Sequence, residues 1–275
     1  MIIVVVGKET PALVQAANGA DLRFVDSIDQ ATEVYGEMEA VIGRVPPSVL
    51  AKATRLRWVH SPSAGVDGDL CPEMLNSPAV LTSSAGTGGI PLAEHAMLLM
   101  LMLDRDVPRW LRAQADRRWD QFTHGELAGR TLGIYGLGHS GLDLAQKANA
   151  FQMRVLGVRR HSERPAPYVD RVCEFNQMVA ESDFVVVTAP RTPATYGRFD
   201  REAFARMKPT AYFICVSRGV IADDSAQRRQ HRRQGPARRR VRAREPSSFR
   251  QRRSSPQRGR QVRGLLIRPC SARFE

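Results

Sequence analysis

Residues 131–141 read TLGIYGLGHSG, a short apolar run that leads into a glycine-rich turn. The run TLGIY predicts a buried parallel strand, because such a strand is covered on both faces and reads as nearly continuous apolar sequence. Residues 136–141 then follow the spacing G-x-G-x-x-G, and an apolar helical stretch begins at Leu142. A glycine-rich turn between strand and helix is typical of dinucleotide-binding units, with a purely structural turn as the alternative.

Each position of this turn has a physical role in dinucleotide binding. Gly136 permits the tight turn, Gly138 lets the backbone approach a pyrophosphate, and Gly141 lets the helix pack closely on the strand. His139 and Ser140 fall at the start of the helix, where free backbone N–H groups attract phosphate oxygens. We therefore assign all five residues to cofactor binding.

The end of the next predicted strand, residues 153–160, distinguishes the two nicotinamide dinucleotides. An NAD-binding unit usually places Asp or Glu there to hold the ribose hydroxyls. This chain instead has Arg159 and Arg160, followed by His161. A guanidinium binds a 2′-phosphate through charge-assisted bidentate hydrogen bonds, so NADP is favoured over NAD. Solvated arginines at an exposed strand end are the alternative.

Strands alternating with short helices run on both sides of this motif and predict an α/β protein with parallel sheets. We divide the chain into a first domain over 1–92, a cofactor domain over 93–225 and a tail over 226–275. The apolar helix predicted at 91–107 would lie between the domains or at a subunit interface. The predicted strands are 1–6, 21–25, 40–44, 56–62, 80–84, 131–135, 153–160, 184–190 and 211–218.

The charge of the chain is concentrated in the tail. The formal net charge is +13, but residues 226–275 hold 17 of the 41 basic residues and 2 of the 28 acidic ones. The rest of the chain is close to neutral, so its charge gives no reason to expect a nucleic-acid or membrane partner. The tail lacks apolar periodicity and is expected to be disordered. Four widely separated cysteines predict neither a disulfide framework nor a metal site, and we expect a cytoplasmic protein.

Four stretches resemble the D-isomer-specific 2-hydroxyacid dehydrogenases, in particular their glyoxylate/hydroxypyruvate reductase-like branch. The resemblance implies two α/β domains: a flavodoxin-like substrate domain, and a Rossmann-type cofactor domain that breaks off after the strand carrying Arg218. It also implies a homodimer. The matching stretches are WVHSPSAGVDG (58–68), SSAGTGGIPLAEHAMLLML (83–101), residues 127–160 and residues 182–219.

The resemblance also implies roles for particular residues. Arg218, in CVSRG, corresponds to the catalytic arginine that holds the substrate carboxylate and polarises its 2-oxygen. The backbone N–H groups of Ala64, Gly65 and Val66 would bind the substrate carboxylate, as oriented amides bind anions. The residues expected on the nicotinamide side are Thr188, Pro190 and Val216.

The sequence departs from this family after Arg218. Family members place a Glu and a His there, and the His transfers a proton to or from the substrate oxygen. Neither motif occurs in this sequence, and neither His231 nor Glu245 matches one. A shifted reading frame beginning near residues 224–226 is our hypothesis for the departure, and translating the adjacent frame of the gene tests it.

Three functions remain open from the sequence. The first is an NAD(P)-dependent reductase of small 2-oxo acids, impaired because its proton-transfer residues are missing. The second is a non-catalytic dinucleotide-binding remnant, which would bind cofactor without turnover. The third is nucleic-acid binding through the arginine-rich tail, for which the sequence offers no specific recognition motif and few stacking aromatics.

Overall fold

The computed structural model describes residues 1–223. The chain divides into a compact first unit, Met1–Gly88, and a second unit that begins at Gly89. The disordered tail predicted for 226–275 lies outside the described residues. Each unit is built around its own parallel sheet, so the α/β class predicted from the sequence is confirmed.

The first unit contains a five-stranded sheet in the order β2-β1-β3-β4-β5, with every neighbouring pair parallel. The helices between the strands are short, and α1, α2 and α3 each begin with proline, whose fixed φ suits the first helical turn. The strands are β1 Ile2–Val6, β2 Asp21–Val25, β3 Ala40–Ile42, β4 Trp58–Ser61 and β5 Val80–Ser83. The helices are α1 Pro11–Ala16, α2 Pro47–Leu50 and α3 Pro72–Leu75, with 3₁₀ turns at Ile28–Gln30 and Thr32–Val34.

The second unit contains another five-stranded parallel sheet, in the order β10-β9-β6-β7-β8. Its two central strands, β6 and β9, are buried along their whole length. The strands are β6 Thr131–Tyr135, β7 Arg154–Val158, β8 Arg171–Val172, β9 Phe184–Val187 and β10 Tyr212–Cys215. The helices are α4 Gly89–Asp104, α5 Val107–Ala115, α6 His139–Ala150, α7 Phe175–Glu181 and α8 Arg201–Arg206, with a 3₁₀ turn at Gly219–Ile221.

Helix α4 is apolar on most of its surface, as the sequence predicts. Ala93, Ala96 and Met100 are fully buried in the core of the second unit, together with residues of α6. Ile90 and Leu98 are exposed on the described chain. The helix therefore has a buried face that belongs to its own unit, and the predicted subunit contact remains a prediction.

An aromatic cluster fills the core on the other face of the second sheet. Phe199 has no exposed surface, and its ring lies 5.0 Å from Phe175, 5.0 Å from Phe213 and 5.3 Å from Tyr135 between ring centroids. Edge-to-face and tilted pairs at these distances stabilise a core beyond the burial of area alone. The cluster connects the ends of β6 and β10 with α7 and with the loop that follows β9.

Replacement of Phe199 by Ala tests how much this cluster stabilises the fold. We expect Phe199→Ala to lower the free energy of unfolding by about 3–5 kcal/mol, because it leaves a cavity among aromatic rings. Urea unfolding followed by circular dichroism measures the change. Phe151→Ala is the matched control, since Phe151 is 43% exposed, and we expect a much smaller loss. Equal losses in the two variants would contradict this account of the core.

Candidate cofactor and substrate sites

The glycine turn after β6 has the geometry that a dinucleotide site needs. Gly136 has a φ of +108°, and a Cβ added there would meet the Ala189 backbone nitrogen at 2.5 Å. A Cβ on Gly141 would collide with the Gly136 carbonyl oxygen, so the helix and the turn pack without room for a side chain. A Cβ on Gly138 would meet nothing within 4 Å, which leaves open space where a pyrophosphate would approach.

Helix α6 begins directly after this turn. Gly138 is its N-cap and offers no side-chain oxygen to the first-turn N–H groups. His139 and Ser140 form the first turn, where the unpaired N–H groups and the helix dipole together favour an anion. The local structure thus fits a phosphate group at the helix N-terminus.

Thr188 holds the glycine turn in place. Its hydroxyl donates to the Gly136 carbonyl oxygen at 2.5 Å, and its backbone N–H donates to the Tyr135 carbonyl oxygen at 3.0 Å. Val216 is buried in the core of the second unit, where its N–H donates to the Val187 carbonyl oxygen at 3.2 Å. The roles proposed for Thr188 and Val216 on the nicotinamide side remain predictions.

A cleft of about 480 Å³ opens at the carboxyl ends of β6, β7 and β9. Its wall combines the glycine turn, the end of β7 and the loop after β9, all within the second unit. Pro190 lies in this wall, and its place on the nicotinamide side remains a prediction. The lining residues are Tyr135, Gly136, Leu137, Gly138, Val158, Arg159, Arg160, His161, Ala189, Pro190, Thr192, Ala194 and Thr195.

The two arginines at the end of β7 have different surroundings. Arg159 is half-buried, and its Nη1 donates to the carbonyl oxygens of Pro165 at 3.1 Å and Arg164 at 3.4 Å. Arg160 is exposed, and His161 beside it lies 3.4 Å from the Glu163 carboxylate. Part of the donor capacity of Arg159 is therefore used within the loop, whereas Arg160 presents its charge to solvent at the cleft.

Tyr135 contributes both to the cleft and to the aromatic core of the second unit. Its side chain lies in the aromatic cluster, and burial raises the pKa of its phenol, although Arg198 partly offsets this effect. The phenol therefore stays protonated at neutral pH, and its ring packs against Phe175 and Phe199.

Arg218 follows β10 at the edge of the sheet where the cleft opens. Because the strands are parallel, their carboxyl ends all lie at this edge. The residue is half-buried, and its carbonyl oxygen accepts from the Ile221 N–H at 3.1 Å and from the Cys215 thiol at 3.4 Å. These bonds fix the backbone at the start of the Gly219–Ile221 turn and so constrain where the guanidinium can reach.

The predicted carboxylate loop lies in the first unit, directly after β4. Ala64 and Gly65 are exposed and Val66 is half-buried. Within residues 1–223 the backbone N–H groups of these three residues donate no hydrogen bond. Their binding of a substrate carboxylate remains a prediction.

Some functional candidates were not singled out from the sequence. Thr192 and Thr195 line the cleft from a loop held by its own hydrogen bonds, including Thr195 Oγ1 to the Pro190 carbonyl oxygen at 2.7 Å. A run of Thr and Pro after a strand signals a turn but does not say what the turn faces. In the part of the chain that the structure describes, no cluster of acidic, His or Cys side chains could hold a metal ion.

Comparison with known proteins identifies the family. Residues 97–230 match the sequence model of the D-isomer specific 2-hydroxyacid dehydrogenase, NAD binding domain. The chain is 31% identical over 218 residues to glyoxylate/hydroxypyruvate reductase B of Shigella dysenteriae, covering 73% of this chain and 65% of that protein. Residues 97–230 carry the NAD binding domain of the D-isomer-specific 2-hydroxyacid dehydrogenase family.

The solved structures agree with this family assignment. A D-isomer specific 2-hydroxyacid dehydrogenase family protein from Aeromonas salmonicida superimposes with a TM-score of 0.75 at 28% identity, over 84% of this chain and 77% of that one. D-3-phosphoglycerate dehydrogenase of Mycobacterium tuberculosis is 29% identical over 237 residues, which cover 82% of this chain and 45% of that protein. The chain thus spans about half the length of such curated relatives.

In the part that the structure describes, no helix has the length and apolarity to cross a bilayer.

The glycine turn yields a paired test. We expect Gly138→Ala to fold with unchanged stability but to weaken NADPH binding by about tenfold or more, because its methyl group fills the space that a pyrophosphate needs. We expect Gly141→Ala to lower the free energy of unfolding by about 1–3 kcal/mol or more, because its Cβ collides with backbone. NADPH fluorescence titration and urea unfolding measure the two effects. Normal NADPH affinity in Gly138→Ala would place the pyrophosphate elsewhere.

Proposed function

We propose that the chain is a nicotinamide-dependent oxidoreductase that binds NADP(H) and acts on small 2-oxo acids of the glyoxylate or hydroxypyruvate kind. The observation that carries the proposal is the glycine turn with its open space at Gly138, which lines the same cleft as Arg159 and Arg160. The family of the matched NAD binding domain supports the reaction class, and the relative named glyoxylate/hydroxypyruvate reductase B supports the substrate class.

The charge at the end of β7 supports NADP over NAD. Arg159, Arg160 and His161 all lie in the cleft wall, at the position where NAD-binding units usually carry a carboxylate. A guanidinium there can hold a 2′-phosphate, which a carboxylate would repel. The acidic group nearest in sequence is Glu163, which is engaged with His161.

For the substrate we propose separate roles in the two units. The N–H groups of Ala64, Gly65 and Val66 bind the carboxylate, and Arg218 donates hydrogen bonds to the carboxylate and the 2-oxygen. A cationic donor at that oxygen stabilises the negative charge that develops during reduction. When bound, the nicotinamide supplies or accepts the hydride.

Proton transfer is the step for which the printed sequence supplies no matching residue. We propose that turnover of the 275-residue chain is low, since a general acid/base typically contributes about 10²–10⁴-fold to the rate. Binding without turnover would indicate the cofactor-binding remnant instead. The homodimer, the cytoplasmic location and tail-mediated nucleic-acid binding also stay proposals, and the tail lies outside the described residues.

Binding and turnover together test the proposed function. We expect the purified full chain to bind NADPH, and to bind NADH more weakly, in fluorescence titrations. We expect NADPH-linked glyoxylate and hydroxypyruvate reduction to be detectable but slow by absorbance. Rapid turnover would refute the predicted impairment, and no NADPH binding would refute the proposed function.

Arg160 provides a separate test of cofactor preference. We expect Arg160→Ala to raise the Kd for NADPH by about tenfold and to leave the Kd for NADH unchanged, because a charge-assisted hydrogen bond to phosphate contributes roughly this factor. Arg154→Ala is the matched control, at the opposite end of β7 and paired with Glu181 at 3.1 Å. Equal weakening of NADPH and NADH binding in Arg160→Ala would show that this residue does not read the 2′-phosphate.

A further inference from the structure

The base of the loop that carries Ala64, Gly65 and Val66 is closed by a partly buried hydrogen bond. Ser61, the last residue of β4, is 2% exposed, and its hydroxyl donates to Asp69 Oδ2 at 2.8 Å. The Asp69 side chain is only 10% exposed. This bond joins the two ends of the loop and leaves its tip free.

A second contact ties the same base to the neighbouring strand. Arg44 follows β3, and its Nη2 donates to the Gly68 carbonyl oxygen at 2.6 Å, while its Nε lies 3.8 Å from Asp69 Oδ1. On the other side, the Ser84 N–H after β5 donates to the Ser61 carbonyl oxygen at 3.1 Å. The loop base is thus anchored to the ends of β3 and β5.

The loop turns back through bonds that do not use the N–H groups at its tip. The Val66 carbonyl oxygen accepts from the N–H groups of Asp69 at 2.8 Å and Leu70 at 3.1 Å. This leaves the N–H groups of Ala64, Gly65 and Val66 without an acceptor among residues 1–223. A row of free amides on a loop fixed at both ends is preorganised for an anion, because little ordering remains to be done on binding.

We propose that Asp69, held by Ser61 and Arg44, positions this loop for binding the substrate carboxylate. The inference rests on the carboxylate loop assigned under the proposed function and identifies the residues that fix its geometry. Asp69 acts through the backbone it holds and does not contact the substrate.

Because Asp69 is negatively charged, the direction in which its substitution changes the affinity for an anion distinguishes a positioning role from simple charge repulsion. A carboxylate near an anion site repels the anion, so removing it by Asp69→Ala would strengthen anion binding if charge alone mattered. If Asp69 positions the loop, the same substitution weakens binding. Ser61→Ala removes the hydroxyl without changing the charge, so both variants weaken binding only if position is the cause.

The experiment uses the deuterated, ¹⁵N-labelled full chain and oxalate as the probe. We expect oxalate to shift the amide resonances of Ala64, Gly65 and Val66. We expect Ser61→Ala and Asp69→Ala to raise the Kd for oxalate by about tenfold, the factor typical of one hydrogen bond to a charged group. The ¹⁵N relaxation of these three amides should show faster internal motion in both variants, and NADPH affinity should stay unchanged.

Ser77→Ala is the matched control, because the Ser77 hydroxyl accepts from the Ala79 N–H at 3.1 Å in the same unit, away from the loop. It should leave oxalate affinity and loop relaxation unchanged. Normal oxalate affinity in Ser61→Ala, or tighter binding in Asp69→Ala, would overturn the positioning role alone. Oxalate that shifts none of the three amides in the wild-type chain would overturn the carboxylate loop of the proposed function and this inference with it.

Discussion

The contact between the Gly136 carbonyl and the Gly141 backbone sets the geometry of the second unit's functional edge. No side chain fits between them, so α6 begins immediately against the end of β6. The Thr188 hydroxyl bonds to the same carbonyl and ties this turn to the end of β9. Because two strand ends and a helix N-terminus meet here, the backbone donors and the open space at Gly138 lie in one place. An alanine scan of surface residues would not reveal this constraint, since it resides in backbone.

Parallel pairing extends this arrangement along the sheet. In the order β10-β9-β6-β7-β8, the glycine turn, Arg159 and Arg218 all follow strands that end at the same edge. Residues far apart in sequence are therefore brought to one side of the unit by the pairing of the strands that precede them. The aromatic cluster around Phe199 packs against this edge, since it includes Tyr135, the last residue of β6.

Much of the fold could be predicted from sequence because buried parallel strands are continuous apolar runs. The strand at 21–25 matches β2, and those at 1–6 and 184–190 contain β1 and β9. Helix α5 was missed because its apolar residues are spaced among Arg and Gln, and β8 because two residues carry no period. The glycine turn was predictable because its motif lies within eleven residues. The contacts of Arg44 with Gly68 and Asp69 were not, because they join the end of β3 to the loop after β4. The Ser61–Asp69 bond was not either, because no motif marks it within that loop.

The sequence predicts two arginines after β7 but not their different surroundings, which bear on the proposed cofactor preference. Both are guanidinium groups at the expected position, yet Arg159 donates to the Pro165 and Arg164 carbonyl oxygens while Arg160 is exposed. A donor already satisfied by backbone must break those bonds to reach a phosphate, which offsets part of what it gains. Arg160, which is exposed, would lose only its hydration on binding a phosphate. Under the proposed NADP preference, Arg160 is therefore better placed than Arg159 to contact a 2′-phosphate, because Arg159 also bonds to the loop backbone.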